Sequence, residues 1–462
     1  MRHVIIGGGP AATNAIETIR QLESERSEII LISDEPAYSR MALPYWLNGT
    51  IPREQTYTGD ASYFEQLGVV TRFGQRAVSL DGGARRVTLD DGDTIDFDRL
   101  LIATGSSPVP PPIPGADLPG VQPLWTLDHV ERVLRTCGDL SRPRVVLIGA
   151  GFVGLIVVGA MFKKGWQLQV VEQEEQLLPR MLDGAAAATA AAWLEQHGVG
   201  VATGRRVEEI RAHGEARQVV LDDGTVWEAD VVIVATGVRP NTEWLDGCGI
   251  DVDHGILVDR QMQTSIEGIY AAGDVAQGPV LGSDHREVHA IQPTAVDQGR
   301  VAGASMAGAS VSYPGSLLMN VVDVCGLQCV SYGDARRSTD DEVVIDNRSD
   351  FVYRRLVFDG DHLVGAIFAG RAGEVGMLND IGMVRGMLQV RPDLGSWKRY
   401  LKENPFDIRR PYVGLGVAAK LAATTLLGRP TRARGYRFEQ REPDRSQTAA
   451  HAAFMARVVE GA

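Results

Sequence analysis

Gly7, Gly9 and Ala12 follow the apolar run "HVII" and open the segment "GGGPAATNAIETI". That spacing, placed between a short strand and a helix, suits a dinucleotide. The first glycine permits the tight turn, the second lets a pyrophosphate approach the backbone, and the small third residue lets helix and strand pack closely. The exposed N–H groups of the helix start receive the phosphate charge. The next apolar run, "IILIS", ends at Asp34 and Glu35, where a carboxylate accepts hydrogen bonds from ribose hydroxyls. A second set, Gly149, Gly151 and Gly154, follows "RVVLI" and is completed by Glu172 at the end of "LQVVE". A carboxylate there suits a free 2′-hydroxyl and repels a 2′-phosphate, and Gln173, Glu174 and Glu175 add no basic clamp. The second site is therefore expected to take NADH in preference to NADPH.

Both sets belong to one plan that the chain repeats. "VTLDDGDTIDFDRLLIATGSSP" follows the first and "VVLDDGTVWEADVVIVATGVRP" the second. Gly92 and Gly224 are 132 residues apart, as are Ala103 and Ala235. A repeat of that length is not a solenoid period and predicts two related α/β domains.

The 462 residues are 44% hydrophobic, with a mean hydropathy of -0.07, as expected of a globular protein with sizeable cores. No apolar run reaches the roughly 20 residues that span a bilayer. The opening "MRHVIIGGGP" leaves no room for a signal peptide ahead of the first motif, so a cytoplasmic location is expected. Four cysteines are too few for a disulfide scaffold. "VDVCGLQCVSYG" reads as a strand, with Cys325 and Cys329 as buried thiols. His285 and His289 show no metal-ligand spacing, and no metal site is expected.

At "LLIATGS", "VVIVATGVRPN", "TSIEGIYAAGDVA" and "QPTAVDQGRVAGASMAG" the chain resembles the FAD/NAD-linked pyridine nucleotide–disulfide oxidoreductase superfamily, over residues 1 to about 390. The resemblance implies an α/β fold: two Rossmann-like dinucleotide-binding domains plus an α+β C-terminal interface domain. It implies an FAD domain in two parts (1–112 and 245–318), an NAD domain (113–244), an interface domain (319–400) and an extension (401–462). FAD would lie on Gly7, Gly9, Ala12, Asp34, Glu35, Ala103, Thr104, Gly105, Gly273 and Asp274. The helix beginning at Pro293 and Thr294 would offer its positive end to the flavin's pyrimidine edge. NADH would lie on Gly149, Gly151, Gly154, Glu172 and Gly237. "SSPVPPPIPG" reads as the crossover between domains. "FVYRRLVFDGDHLVGAIFAG" reads as a hairpin turning at Asp359-Gly360. A homodimer is implied by the resemblance.

Two positions depart from the family pattern. "YSRMALPYWL" resembles the segment that carries a single redox cysteine in coenzyme A disulfide reductases and NADH oxidases, but Met41 stands there. A thioether forms neither thiolate nor sulfenic acid, and no cysteine precedes Cys137, so disulfide reduction by a thiol relay is not expected. Rubredoxin and ferredoxin reductases, which also lack that cysteine, resemble this segment too. They imply that Arg40 is a cofactor contact, its alternative being a surface arginine. Ile156 stands where members often carry a glutamate near the flavin. Met41, Tyr45 and Ile156 are candidate pocket walls, the alternative being core packing. No side chain is assigned the catalytic step, which belongs to the flavin.

Net charge is -13, but from Arg391 onward 14 Lys/Arg oppose 7 Asp/Glu, leaving -20 on the remainder. The body repels anions while the tail could attract them, with neutralisation of the body or of a second subunit ranked slightly higher for the tail; no nucleic-acid partner is expected. "VGLGVAAKLAATTLLG" reads as an amphipathic helix with Val413, Val417 and Leu421 on one stripe. Packing on the body ranks first for it, ahead of a docking arm for an acidic electron carrier and peripheral membrane contact. The expected function is an FAD-dependent NADH:acceptor oxidoreductase. Its acceptor would be a carrier protein, a quinone or oxygen, the last giving hydrogen peroxide. The alternative is an NADH-binding redox sensor with incidental turnover.

Overall fold

The computed structural model describes residues 1–23, 27–138, 140–423 and 426–428. Strand Arg2–Ile6 carries Val4, Ile5 and Ile6, all buried, because it is central in a parallel sheet covered on both faces. That sheet runs Ile269–Ala271, Arg99–Ile102, Arg2–Ile6, Glu28–Ser33, Val69–Phe73. A second parallel sheet runs Val121–Gln122, Val231–Val234, Arg144–Ile148, Gln167–Glu172, Gly200–Thr203. The repeat is thus a repeat of architecture, including a three-stranded antiparallel sheet attached to each half. Gly92 and Gly224 occupy the matching turns, with φ of 89° and 83°. One core unites Val4–Ala103 positions with Leu245–Tyr313 positions, so the chain leaves the first sheet and returns to it.

The third sheet is antiparallel, in the order Met319–Val324, Leu327–Gly333, His362–Arg371, Val352–Asp359, Glu342–Asn347. The expected hairpin around Asp359-Gly360 is present, with Gly360 at φ 54°. The single strand expected across Cys325 is not. Cys325 and Gly326 have φ of 52° and 92°, the conformation a two-residue hairpin turn needs, so the segment folds back on itself. Both thiols are nevertheless buried.

The tail also differs from expectation. Gly416, at φ 62°, divides it into helices Arg409–Gly414 and Val417–Ala422. Val417 is buried beside Gly386, whereas Val413 is 66% exposed, so the three-residue stripe does not form. Residues 429–462 of the basic extension lie outside the described residues.

Helix Pro10–Glu23 lies against helix Gln292–Met306. A Cβ on Gly299 would meet the Ala11 carbonyl oxygen at 2.2 Å, and one on Gly303 would meet that of Ala15 at 2.5 Å. The two backbones touch because both positions lack a side chain. Replacing Gly303 with valine is expected to cost about 1–3 kcal/mol by overpacking. It should also lower FAD content, because the helix it displaces begins at the Gly7–Gly9 turn. Thermal unfolding and the flavin-to-protein absorbance ratio check both effects.

Candidate functional site

Gly7 has φ 104°, and a Cβ there would lie 2.2 Å from the Ala103 carbonyl oxygen. The first glycine and the alanine of "ATG" are therefore one close backbone approach. Gly9 has nothing within 4 Å of its would-be Cβ, so no protein atom requires a glycine there. That open space over a helix start is what an approaching pyrophosphate needs. Gly273, at φ 83°, lies between the Cβ atoms of Ala11 and Ala295, at 3.3 and 3.5 Å. The "AAGD" turn thus sits between the first turns of the two touching helices. Helix Gln292–Met306 begins with Pro293 in its first turn and no side-chain cap, leaving its initial N–H groups without a side-chain acceptor.

Asp274 accepts one hydrogen bond from a side chain, Ser106 Oγ at 2.9 Å. Burial pushes its carboxyl above the ordinary range, against the pull of Ser106 and Arg40. A carboxylate offers about four acceptor positions, so Asp274 has capacity for hydroxyl donors. Arg40 donates to Glu35 Oε2 at 2.8 Å, to the Tyr38 hydroxyl at 2.9 Å and to the Trp125 carbonyl at 2.6 Å. The Trp125 indole N–H donates to the Ser106 carbonyl at 3.0 Å. Glu35, Arg40, Trp125, Ser106 and Asp274 therefore form one connected chain of contacts. Asp34 is paired with Arg76 at 2.8 Å on the surface.

The second cradle repeats the first. Gly149 has φ 99° and would place a Cβ 2.5 Å from the Ala235 carbonyl oxygen; Gly151 is open; a Cβ on Gly154 would meet the Gly149 carbonyl oxygen at 2.3 Å. Glu172, 7% exposed, accepts from Ala150 N–H at 2.6 Å and Glu174 N–H at 3.0 Å. These bonds fix the carboxylate at the end of its strand. The cradle opens on a cavity of about 1820 Å³ lined by Gly149, Gly151, Glu172, Arg205, Arg206 and Gly237. It exceeds the roughly 300–1,000 Å³ of an ordinary ligand pocket. Arg205 and Arg206 were not foreseen from the sequence; the Arg205 guanidinium is engaged by Asp223 at 2.9 Å.

The two "ATG" turns are tied together. Asn241 donates to the Thr104 carbonyl at 2.8 Å, Thr104 Oγ1 donates back to the Asn241 carbonyl at 3.1 Å, and Asn241 N–H reaches the Gly105 carbonyl at 3.0 Å. Ser106–Pro108 pairs antiparallel with Val238–Pro240. The proline-rich crossover is thus a short two-stranded link between the cradles, and Asn241 was missed because only the pairing reveals it.

Met41 and Tyr45 are 43% and 51% exposed. Neither lines the large cavity, and neither does Ile156. Helix Leu43–Leu47 packs on helix Phe152–Lys163, and Trp46 and Ile156 pack against the same core. Burial pushes the Cys137 thiol up to about 11 and those of Cys325 and Cys329 up to about 12. No cluster of three metal-ligating side chains occurs among the described residues. No helix among them is long and apolar enough to cross a membrane.

Two glycine cradles on two parallel sheets define a protein of the two-nucleotide oxidoreductase class. The chain belongs to the pyridine nucleotide-disulphide oxidoreductase family, whose model matches residues 1–299. Members bind FAD and use NADH, and this chain is an FAD-dependent NAD(P)H oxidoreductase. It is 31% identical to the NADH-dependent phenylglyoxylate dehydrogenase subunit epsilon of Aromatoleum evansii, over 88% of this chain and 96% of that one. It is 36% identical to rhodocoxin reductase of Rhodococcus erythropolis, over 68% and 74%. Among solved structures, a ferredoxin reductase of Rhodopseudomonas palustris superposes with a TM-score of 0.78 at 26% identity, over 88% and 99%.

Proposed function

We propose that this chain passes electrons from NADH through FAD to an external acceptor without a cysteine relay. When bound, FAD takes a hydride from NADH and releases electrons onward. Gly7, Gly9 and Ala12 would admit its pyrophosphate, with Asp34 or Glu35 at the ribose. Ala103, Thr104 and Gly105 would close the turn, and Gly273 and Asp274 would hold hydroxyls of the flavin arm. Arg40 would keep Glu35 and the Trp125 segment in place, and the helix start at Pro293 and Thr294 would present the free N–H of Thr294, Pro293 having none. Gly149, Gly151, Gly154, Glu172 and Gly237 would hold NADH, with Glu172 disfavouring a 2′-phosphate. Met41, Tyr45 and Ile156, none of which lines the large cavity, supply no reactive group in this reading. The domain limits proposed are 1–112 with 245–318 for FAD, 113–244 for NADH, 319–400 for the interface domain and 401–462 for the extension.

The observation that carries the reading is the state of the thiols. By resemblance Met41 stands where the family carries its redox cysteine, Cys248 is half-buried against the first core, and Cys137, Cys325 and Cys329 are buried with raised pKa. Such thiols are poor nucleophiles. Names of relatives favour a protein acceptor, since rhodocoxin reductase, a ferredoxin reductase and a dehydrogenase subunit are among them. A homodimer and an acidic carrier at the basic extension belong to the same proposal. With oxygen as acceptor the product would be hydrogen peroxide. Treating the NADH-reduced protein with iodoacetamide should leave turnover with an artificial acceptor unchanged. Stoichiometric inactivation by labelling one cysteine would refute the reading.

A further inference from the structure

His289 lies in the segment leading into helix Gln292–Met306 and lines the large cavity. Its Nδ1 is 3.1 Å from Thr294 Oγ1, in the first turn of that helix. Its Nε2 is 3.2 Å from the Met319 carbonyl oxygen and 3.3 Å from the Met319 nitrogen, at the start of the interface-domain sheet. The ring therefore spans the junction between the helix start and the third sheet. Its partners suit every protonation state. As a neutral ring, Nε2 accepts from Met319 N–H or donates to Met319 C=O, while Nδ1 donates to or accepts from the Thr294 hydroxyl. As a cation, it donates to the Met319 carbonyl and to Thr294 Oγ1. A proton can thus arrive without breaking the bridge.

Burial holds the imidazole below its ordinary pKa, so the resting ring is neutral, and the Met319 carbonyl is its one opposing influence. The charged and titratable groups on its own segment are His285, Arg286 and Glu287, those on the helix include Asp297 and Arg300, and that on the strand is Asp323, while Asp334, Arg336, Arg337 and Arg391 line the same cavity. None of them contributes to its shift.

We propose that His289 is a positioning residue that takes up one proton from solvent when NADH reduces the bound FAD. The balance is closed: NADH loses a hydride and becomes NAD⁺, the hydride places one net negative charge on the cofactor, and one H⁺ from water binds the unprotonated ring nitrogen. The cation then stands beside the helix start that faces the new charge. This inference rests on the functional reading above, in which that helix start faces the flavin.

The test is anaerobic stopped-flow reduction of the holoenzyme with stoichiometric NADH and a pH indicator, near pH 7. Wild type is expected to take up about one proton per flavin more than His289→Gln. Its flavin midpoint potential should also fall more steeply as pH rises. Equal uptake by a flavin-loaded His289→Gln protein would overturn the inference. Failure of NADH to bleach the flavin at all would instead overturn the functional reading. Should the variant lose its flavin, imidazole nitrogen shifts in the wild-type protein decide the matter. A change to the doubly protonated pattern on reduction supports the inference, and an unchanged neutral ring refutes it.

Discussion

Replacing Gly151 with valine should weaken NADH binding by on the order of 10–100-fold while leaving FAD content and thermal stability close to wild type. Gly151 has φ of -76°, an ordinary value for any residue, and nothing lies within 4 Å of its would-be Cβ. Neither backbone conformation nor internal packing calls for glycine. What a side chain would obstruct is the approach of a phosphate to the first N–H groups of helix Phe152–Lys163, which has no side-chain cap. Gly149 is a control with a different outcome. At φ 99° and 2.5 Å from the Ala235 carbonyl oxygen, a valine there should destabilise the protein itself. Stopped-flow bleaching of the flavin across NADH concentrations separates the two, because Gly151→Val should respond at high NADH.

Asp274→Ala should yield folded protein that has largely lost its flavin, with FAD affinity down by on the order of 100-fold. The half-buried carboxylate makes one side-chain hydrogen bond, to Ser106, and its remaining acceptor capacity is what flavin hydroxyls would fill. The same argument fixes a pH dependence. Burial raises the carboxyl in the flavin-free protein, and hydroxyl donors favour the charged form, so the pKa falls when FAD binds. Binding therefore releases a proton, and FAD affinity should rise with pH through the raised flavin-free value and then level off. Asp274→Asn should flatten that rise. Fluorescence titration of flavin-stripped protein at several pH values checks the sign.

Much of this site was legible in the sequence because glycine spacing, strand ends and motif order are local signals. Gly7, Gly9, Gly149 and Gly151 stand where the spacing places them, and the two sheets repeat as "LDDG" and "ATG" predict. What was not legible depends on long-range pairing. The contact of Gly7 with Ala103 joins residues 96 apart, and that of Gly299 with Ala11 spans most of the first core. The chain from Arg40 through Trp125 to Ser106 needs three segments to meet, so Arg40 read equally well as a surface residue. The turn at Cys325 has a plainer cause. The β-branched residues on both sides favour a continuous strand, and the glycine after the cysteine is the local signal for the turn. Gly416 in the tail likewise interrupts an apolar period that runs across it.

The central claim is that electrons move from NADH to FAD and onward with no thiol in the path. Anaerobic titration of the holoenzyme with NADH, followed by flavin absorbance, tests it most directly. A flavin acting alone stores about two electrons, so about one equivalent of NADH should complete the bleaching. Admitting oxygen should then restore the absorbance with formation of hydrogen peroxide. A requirement for about two equivalents of NADH per flavin, or water as the sole oxygen product, would reveal a second redox centre and contradict the account.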